Sequence, residues 1–462
     1  MQMSTRVLAV AAPLVALAGS AFAQVPTWEP QLVGSAPAGW STVAASAVND
    51  GGRVVGNTFI AGFKRAWTGA VGSGLELLPL PAEATWSDVR DVNGSGVAVG
   101  SVLLGGGLSR AILWRPVGGI YAYELLPAGP GGTLPFDARA INDAGDVVGK
   151  YGILSGSFVW NELSGTVQLP TTTFPVVPEG LNERRQVVGD TYRMDLDDLV
   201  LEDLGNPTGT PYNFVFSKLG SINDAGQCAG YGVTATSQNP FVPIRFTDGG
   251  AWKLFSNFPL SAAGALGLSA FGDTVFQLGV FGLYVYVDEV GSIALQGTLD
   301  PAFGSWSLGG SFAPAISRGG ALACNGVDPF GSGGIVLLTP AAFDDLGGAV
   351  RGALGDPILG GFGSLLPGTP TRLRLASAAP NSVALIAWSG SSVAVPLLGG
   401  TLHANPIDVL VPVGTDSLGR YDVTFNWPNL STGTEAFLQA AVVDPETALG
   451  WSLSNGLSAA TR

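Results

Sequence analysis

Histidine occurs once in this chain, at His403 within "GGTLHANP" near the C-terminal end. A His-based zinc site and a Ser-His-Asp triad each need an imidazole beside its partners, so both are excluded from the rest of the sequence. Cysteine occurs twice, at Cys228 and Cys324. That is too few for a small disulfide scaffold, and the two positions fall in non-adjacent repeats. An oxidising compartment allows them to pair, but two buried thiols are the expectation. Basic residues are also scarce, with 21 Lys and Arg against 35 Asp and Glu and a net charge of −14. Nucleic-acid binding needs a basic face to neutralise phosphates, and this chain offers none. The acidity itself serves solubility. Long amphipathic helical stretches are missing, and beyond the first residues no apolar run reaches the roughly 18 residues that would span a membrane.

The opening residues have their own character. "MQMSTR" supplies Arg6, "VLAVAAPLVALAG" an apolar stretch, and "AFA" a small-residue cleavage site. This pattern predicts a secretory signal peptide over residues 1–23, with a mature chain from about Gln24 that is soluble once exported. No Cys follows the cleavage site, so no lipid anchor is expected. Glycine (68) and proline (31) are abundant, and with Val, Leu and Thr they predict many short strands joined by tight turns.

Those strands repeat. "SAVNDGGRVVG", "RDVNGSGVAVG", "AINDAGDVVG", "GLNERRQVVG" and "SINDAGQCAG" align on Asn49, Asn93, Asn142, Asn182 and Asn223. Degenerate copies follow at Ser269 and Ser317, giving spacings of 44, 49, 40, 41, 46 and 48 residues. A period in the forties suits a four-stranded propeller blade and is too long for a leucine-rich or hexapeptide solenoid. In each copy an aliphatic residue precedes the anchor. The residue before that is small, with Asp91 the exception. This segment predicts the inner strand of a blade.

Asn or Ser at the first turn position and Gly at the fourth predict a three-residue hairpin closed by a left-handed residue, supplied by Gly52, Gly96, Gly145, Gly226, Gly272 and Gly320. The Asn side chain is expected to accept from a backbone N–H two residues on. Repeat four has Arg185 in the glycine position, at a cost of roughly 1 kcal/mol, so an altered or strained hairpin is expected there. The second strand carries a recurrent glycine at Gly56, Gly100, Gly149, Gly189 and Gly230. A third-strand aromatic such as Trp67, Trp114, Trp160 or Phe216 is the expected reason for it. A fourth, outer strand reads "LELLPLP" or "YELLPAG"; in repeat four "FVF" is the expected third strand, and "SKLG" must serve as the fourth or that strand is very short. Repeat seven ends at "GGIVLLTP" without one, and "WEPQLVGSAP" at residues 28–37 fits the missing place, which closes the circle.

The pattern "IN..G.VVG" followed by "..A.LW" and "LP" resembles the extracellular HAF repeat of bacterial secreted proteins over residues 28–340. The His-Ala-Phe triplet of that repeat is replaced here by "KRAW", "RAILW" and "GSFVW". The resemblance implies export and a propeller-like fold and carries over no catalytic residue. Beyond "TPAAFDDLGGAVRGALGDP" the segments "TRLRLAS", "SVALIAWSG", "IDVLVPVG", "RYDVTFNWP" and "AFLQAAVVDP" predict about seven antiparallel strands. The ending "LQAAVVDP…SLSNGL" is similar to a sandwich domain that closes many secreted bacterial proteins, which implies an appended module for surface retention or a simple cap. The expected architecture is therefore all-β. A signal peptide covers 1–23, a seven-bladed β-propeller closed by an N-terminal strand covers 24–340, a connector covers 341–357, and an antiparallel β-sandwich covers 358–462.

Candidate sites are few. Arg90, Arg139 and Glu179 stand three residues before successive anchors and share strand parity with buried aliphatics. They fit an ion-pair network or a polar ligand contact. Trp40, Trp86 and Phe136 sit where the chain enters inner strands and fit packing or sugar stacking. The run "RMDLDDLVLEDLGN" reads as an insertion in repeat four, whose Asp195, Asp197, Asp198, Glu202 and Asp203 offer oxygen ligands for calcium but lack the glycine and ligand spacing of an EF-hand loop. No other cofactor is expected. Few ionisable groups suit proton transfer. The expected function is that of a secreted or cell-surface, non-enzymatic binding or scaffold protein, whose propeller surface contacts an extracellular protein or glycan. The alternative is a propeller-borne polysaccharide lyase or glycosidase, which two carboxylates about 5 to 10 Å apart across a concave face would favour.

Overall fold

The structure is a computed structural model that describes residues 25–129, 132–152, 155–169, 177–208, 210, 213–235, 241–247, 250–255, 267–278, 282–309, 314–341 and 343–462. The leader expected over residues 1–23 lies outside the described residues. The protein is all-β, and most of its sheets are four-stranded and antiparallel. Among the described residues no helix is long and apolar enough to cross a membrane. The described residues divide into two compact units, one within residues 30–339 and one of residues 25–29 with 340–462.

Within residues 30–339 each repeat forms one up-and-down sheet. The first runs Trp40–Val48, Val54–Ile60, Phe63–Ala70 and Gly74–Leu77, each strand bonded to the next. Five further four-stranded sheets follow in chain order, with inner strands Trp86–Val92, Pro135–Ile141, Gly180–Leu181, Phe214–Ile222 and Gly267–Leu268. A seventh sheet joins chain segments from both ends. Trp28–Gly34 pairs with Gly333–Pro340, which pairs with Leu322–Val327, and the inner position is shared by Ser307–Leu308 and Ala315–Ile316.

Successive sheets pack through apolar faces. Val55, Ala66 and Leu78 of sheet one share a buried cluster with Val89, Ile112 and Trp114 of sheet two. Val33, Ala323, Ile335 and Leu337 of sheet seven share another with Val48, Val54 and Trp67 of sheet one. Alternation along each strand places one apolar row on either neighbour, which explains why third-strand tryptophans such as Trp67 and Trp114 are fully buried.

The recurrent glycine of the second strand has a different cause from the one expected. A Cβ on Gly56, Gly100, Gly149, Gly189 or Gly230 would lie 1.9–2.1 Å from the carbonyl oxygen of Ala44, Asp88, Asp137, Val177 or Lys218. A ring also crowds Gly56 (Trp67) and Gly149 (Phe158), but the backbone oxygen is common to all five. In four of the five sheets that oxygen lies beside a bulge in the inner strand. Register slips between Ala45 and Ala47, Val89 and Asp91, Ala138 and Ala140, and Leu219 and Ser221. A bulge sets two residues against one and kinks the strand, so the partner strand must give up its side chain.

Repeat four also departs from expectation. "FVFSKLG" does not supply its third and fourth strands; it belongs to the inner strand Phe214–Ile222 of sheet five. The acidic segment read as an insertion forms those strands instead, as Tyr192–Asp195 and Leu201–Asp203. Met194, Leu196 and Leu204 are buried there, an apolar alternation hidden among the carboxylates.

In the second unit, a six-stranded sheet is ordered Phe343–Gly347, Gly456–Ala460, Glu435–Val443, Val383–Ser389 and Val409–Gly414, with Trp451–Leu453 beside the third of these. A three-stranded sheet pairs Ile358–Gly363, Pro370–Ala376 and Tyr421–Asn426. Leu373, Leu375 and Phe425 of the smaller sheet share one buried cluster with Ile386, Trp388 and Leu438 of the larger. The stretch expected as a connector, 341–357, contains a full strand of this unit, Phe343–Gly347. Its two Asp side chains, Asp344 and Asp345, are exposed and masked the strand in the sequence.

Candidate functional site: the axial cycle of turns

The seven turns between first and second strands meet, and each holds itself and its neighbour. In the first five repeats the anchor Oδ1 accepts from the backbone N–H four residues on, not two: Arg53, Val97, Asp146, Gln186 and Gln227, at 2.8–3.0 Å. The anchor Nδ2 donates to the carbonyl of the next anchor. Asn49 reaches Asn93 at 2.9 Å, Asn93 reaches Asn142 at 3.1 Å, Asn142 reaches Asn182 at 3.2 Å, Asn182 reaches Asn223 at 2.8 Å, and Asn223 reaches Ser269 at 3.1 Å. An amide presents an acceptor and a donor on separate atoms of one short side chain, whereas a carboxylate only accepts, which is why Asn rather than Asp recurs. Ser269 and Ser317 keep the acceptor role at 3.0 Å. Their seams are made by the backbone: Ala270 N–H donates to Arg318 C=O at 2.9 Å, and Gly319 N–H donates to the Asp50 carboxylate at 2.6 Å. The cycle of hydrogen bonds closes from sheet seven onto sheet one.

All five anchor asparagines are buried. Replacing Asn93 by Ser keeps the bond to Val97 and drops the one to Asn142, and is expected to cost about 1 kcal/mol. Alanine strands both buried groups and is expected to cost about 2 to 3 kcal/mol. Urea midpoints of the two variants check this order.

Gly52, Gly96, Gly145 and Gly226 take positive φ values of 72–82° at the fourth turn position. Arg185 takes φ 62° in the same place, and its hairpin keeps the common bonding pattern, with Arg185 N–H to Asn182 C=O at 3.2 Å. The strain expected in repeat four is therefore present without any alteration of the turn. The side chain offsets it: Arg185 pairs with Asp146 of sheet three at 2.8 Å, and that carboxylate is fully buried.

A second set of contacts runs through the residue after each anchor. Gly94 N–H donates to Asp143 at 2.5 Å, Asp143 N–H to Glu183 at 2.8 Å, and Glu183 N–H to Asp224 at 3.0 Å. Arg318 reaches across from sheet seven to Asp224 at 2.5 Å and Asp143 at 3.5 Å. The turns enclose a cavity of about 130 Å³ lined by Asp50, Asp91, Asp143, Glu183, Asp224 and Arg318 among others. Burial opposes the charge of Arg318, yet Asp224, Glu183, Asp50 and Asp143 together hold its guanidinium above its usual range. Burial pushes Glu183 up, with Arg318 opposing. The sequence contained a signal for this cluster in "ND", "ND", "NE", "ND" and "SR" after the anchors. What it lacked was the knowledge that the turns converge.

No family model matches this chain, and no curated protein sequence does. Among solved structures it is similar to YCF48 bound to a D1 peptide, at 12% identity and a TM-score of 0.36, over 69% of this chain and 98% of that one. It is similar to a sialidase of Trypanosoma rangeli in complex with 2,3-difluorosialic acid, at 10% identity and TM-score 0.28, over 93% and 88%. It is also similar to a mutant of AofleA from Arthrobotrys oligospora, at 10% identity and TM-score 0.29, over 88% and 96%. At these values the similarity assigns no ligand or activity.

The remaining candidates lie elsewhere. Arg90 and Arg139 are the bulged residues of their strands, and Glu179 bonds to Val188 C=O beside Gly180, so the shared parity with buried aliphatics does not hold. A bulge re-aims the side chain. Arg90 pairs with Asp88 at 2.8 Å, Arg139 with Asp137 and with Glu179 at 2.7 Å each, and Glu179 with Lys218 at 3.0 Å. These pairs tie sheet three to four and four to five. Trp40 and Trp86 open the inner strands of sheets one and two, and Lys64 lies 5.6 Å above the Trp86 ring. Asp195, Asp197 and Asp198 stay on the outer hairpin of sheet four. There Asp195 accepts from Asp197 N–H, Asp198 from Val200 N–H, and Asp197 pairs with Arg185 at 3.0 Å. Among the described residues no group of three His, Cys, Asp or Glu side chains is placed to hold a metal. Cys228 and Cys324 are both buried, and burial pushes the Cys324 thiol up to about 12.

Proposed function

We propose that residues 30–339 form a seven-bladed β-propeller closed by the N-terminal strand, followed by a C-terminal β-sandwich. We further propose that the protein is an exported, non-enzymatic binding or scaffold protein of the HAF-repeat kind. The observation that carries this reading is a set of exposed apolar side chains at one end of three consecutive sheets. Phe63 (54% exposed) and Leu108 (60%) begin the third strands of sheets one and two, and Phe330 (93%) sits at the tip of the corresponding hairpin of sheet seven. Sheets seven and one are joined by Asn325 Nδ2 to Val43 C=O at 2.8 Å, and sheets one and two by Asn57 Nδ2 to Val89 C=O at 3.0 Å. Trp40 pairs with Ile60 and Trp86 with Leu103, which puts both indoles at this same end, opposite the axial turns. Apolar side chains left exposed at the same end of neighbouring sheets fit a contact surface, and an extracellular protein or a glycan is its partner.

The axial cavity gathers carboxylates, the residue type that the glycosidase or lyase reading asks for, and Asp91 among them is pushed up by burial to about 6, a value suited to a general acid. Against that reading, Asp50, Asp143, Glu183 and Asp224 are each engaged by a neighbour's N–H or by Arg318. The cavity is also smaller than the roughly 300–1,000 Å³ of ordinary small-molecule sites. Binding to a glycan array and a secreted-protein panel, with turnover followed on the same glycans, tests the choice. The expected result is binding without turnover, weakened at least tenfold in a Phe63→Ala, Leu108→Ala, Phe330→Ala triple variant. Hydrolysis or elimination abolished by Asp91→Asn overturns it.

A further inference from the structure

Each four-stranded sheet within residues 30–339 has two ends. One holds the axial turn and the hairpin between third and fourth strands. The other holds the hairpin between second and third strands, where Phe63 and Leu108 stand. Across the first sheets these ends differ in charge. At the Phe63 end the buried Asp88 carboxylate serves two cations, Lys64 at 2.6 Å and Arg90 at 2.8 Å, which leaves one positive charge over. Lys150 of sheet three adds a second. Its ammonium lies 5.7 Å above the Phe136 ring, and no carboxylate pairs with it among the described residues. Ser109 Oγ donates to Phe136 C=O at 3.1 Å, so this cation adjoins the Leu108 hairpin. Arg65 and Arg110 add to these charges, and Glu83 opposes them.

The turn end reverses the ratio. Arg115 of sheet two serves two carboxylates, Glu124 at 3.8 Å and Glu162 of sheet three at 3.2 Å. Arg185 of sheet four also serves two, Asp146 of sheet three at 2.8 Å and Asp197 at 3.0 Å. Asp198 beside it accepts from Val200 N–H alone among the described residues. The axial carboxylates outnumber Arg318, and Arg53 and Arg184 offset only part of the excess. This acidic rim is also apolar. The third-to-fourth hairpins of four consecutive sheets expose Val71, Ile120, Leu163 and Val200, with Leu163 97% exposed.

We propose that a second copy of this chain docks its acidic turn-side rim on the basic, apolar end that carries Phe63 and Leu108, so that copies add head to tail. This rests on the reading of the Phe63, Leu108 and Phe330 end as a contact surface, and it names the occupant. The chain carries at one end the complement of its other end: apolar side chains at both, with opposite charge around them. A two-fold dimer sets the same patch against itself and here brings like charges together. A head-to-tail contact brings opposite charges together, which favours that register over the symmetric one. Such a contact leaves one free surface at each end of the pair, so it repeats from copy to copy.

Sedimentation velocity of the full chain as exported reads the contact. The wild type is expected to form species beyond the dimer at about 100 μM protein in about 50 mM NaCl, and to associate roughly tenfold more weakly in about 500 mM. Two variants carry the test, and neither touches the buried Asp88 or Asp146 pairs. Leu108→Ser with Lys150→Glu spoils one end, and Glu162→Lys with Leu163→Ser spoils the other. Each alone is expected to stay monomeric with an unchanged urea midpoint. Their equimolar mixture is expected to give a one-to-one complex and nothing larger, because each copy keeps one intact and complementary surface. A wild type that is monomeric or stops at a dimer overturns the proposal. So does a mixture that associates no better than its components. A chain that binds a glycan or another protein through Phe63 and Leu108 but never itself sinks this inference and leaves the contact-surface reading standing.

Discussion

Gly230→Ala is expected to prevent stable folding of the unit formed by residues 30–339. A methyl on Gly230 would sit 2.0 Å from Lys218 C=O and 2.7 Å from Leu219 Cα, both backbone atoms that cannot swing away. Relief requires undoing the bulge in Phe214–Ile222, and the bulge sets how that strand meets the turn at Asn223. Overpacking in a tight core costs about 1 to 3 kcal/mol and occasionally more, and a backbone collision at this distance belongs at the upper end or beyond. The same sheet supplies its own control. Gly220 lies ten residues earlier, in the bulge itself, and a Cβ there would meet nothing within 4 Å. Gly220→Ala is expected to change stability by no more than about 0.5 kcal/mol. Soluble yield and urea midpoints of the two variants decide the matter, and equal behaviour of the pair would remove the carbonyl explanation for the recurrent glycine.

The second large effect is expected at Arg318. Its guanidinium reaches Asp224, 3% exposed, and Asp143, and its backbone carbonyl accepts from Ala270 N–H. Arg318→Met keeps the backbone contact and most of the packing but leaves the buried Asp224 charge without its cation. Breaking one partner of a buried pair costs about 3 to 5 kcal/mol, because the remaining charge stays desolvated. Asp224→Asn added to Arg318→Met is expected to recover much of that loss, although the amide must still accept from Glu183 N–H. A double-mutant cycle on urea midpoints reports the coupling. A single-variant loss below about 1 kcal/mol, or a double variant no better than the single, shows that the axial arginine does not hold the turns together.

The two variants probe features that differ in how far the sequence revealed them. The glycine was visible as a recurrence, and its cause was not: of the expected aromatics Trp67 contributes at Gly56, Phe158 rather than Trp160 crowds Gly149, and the carbonyl common to all five lies beside an inner-strand bulge in four of them, which no residue pattern announces. The acidic segment of repeat four misled in another way. Carboxylates at Asp195, Asp197, Asp198, Glu202 and Asp203 outweighed the sparse apolar alternation of Met194, Leu196, Leu201 and Leu204, so a hairpin read as an insertion and the following inner strand read as its replacement. Phe343–Gly347 was missed for the same reason, with exposed Asp344 and Asp345 hiding a strand paired to the C-terminal segment.

Short-range chemistry was therefore fixed by the chain itself. The Asn and Gly spacing specifies the turns, alternation specifies which strand faces are apolar, and the aliphatic residue before each anchor specifies an inner strand, because each of these depends on neighbours within a few residues. The axial site is different in kind. Asp50, Asp143, Glu183, Asp224 and Arg318 follow one another at intervals of 40 to 94 residues in sequence, and their charges interact only because successive sheets pack the turns together. A Coulomb interaction or a seam hydrogen bond depends on distance in space, and that distance is set by long-range packing.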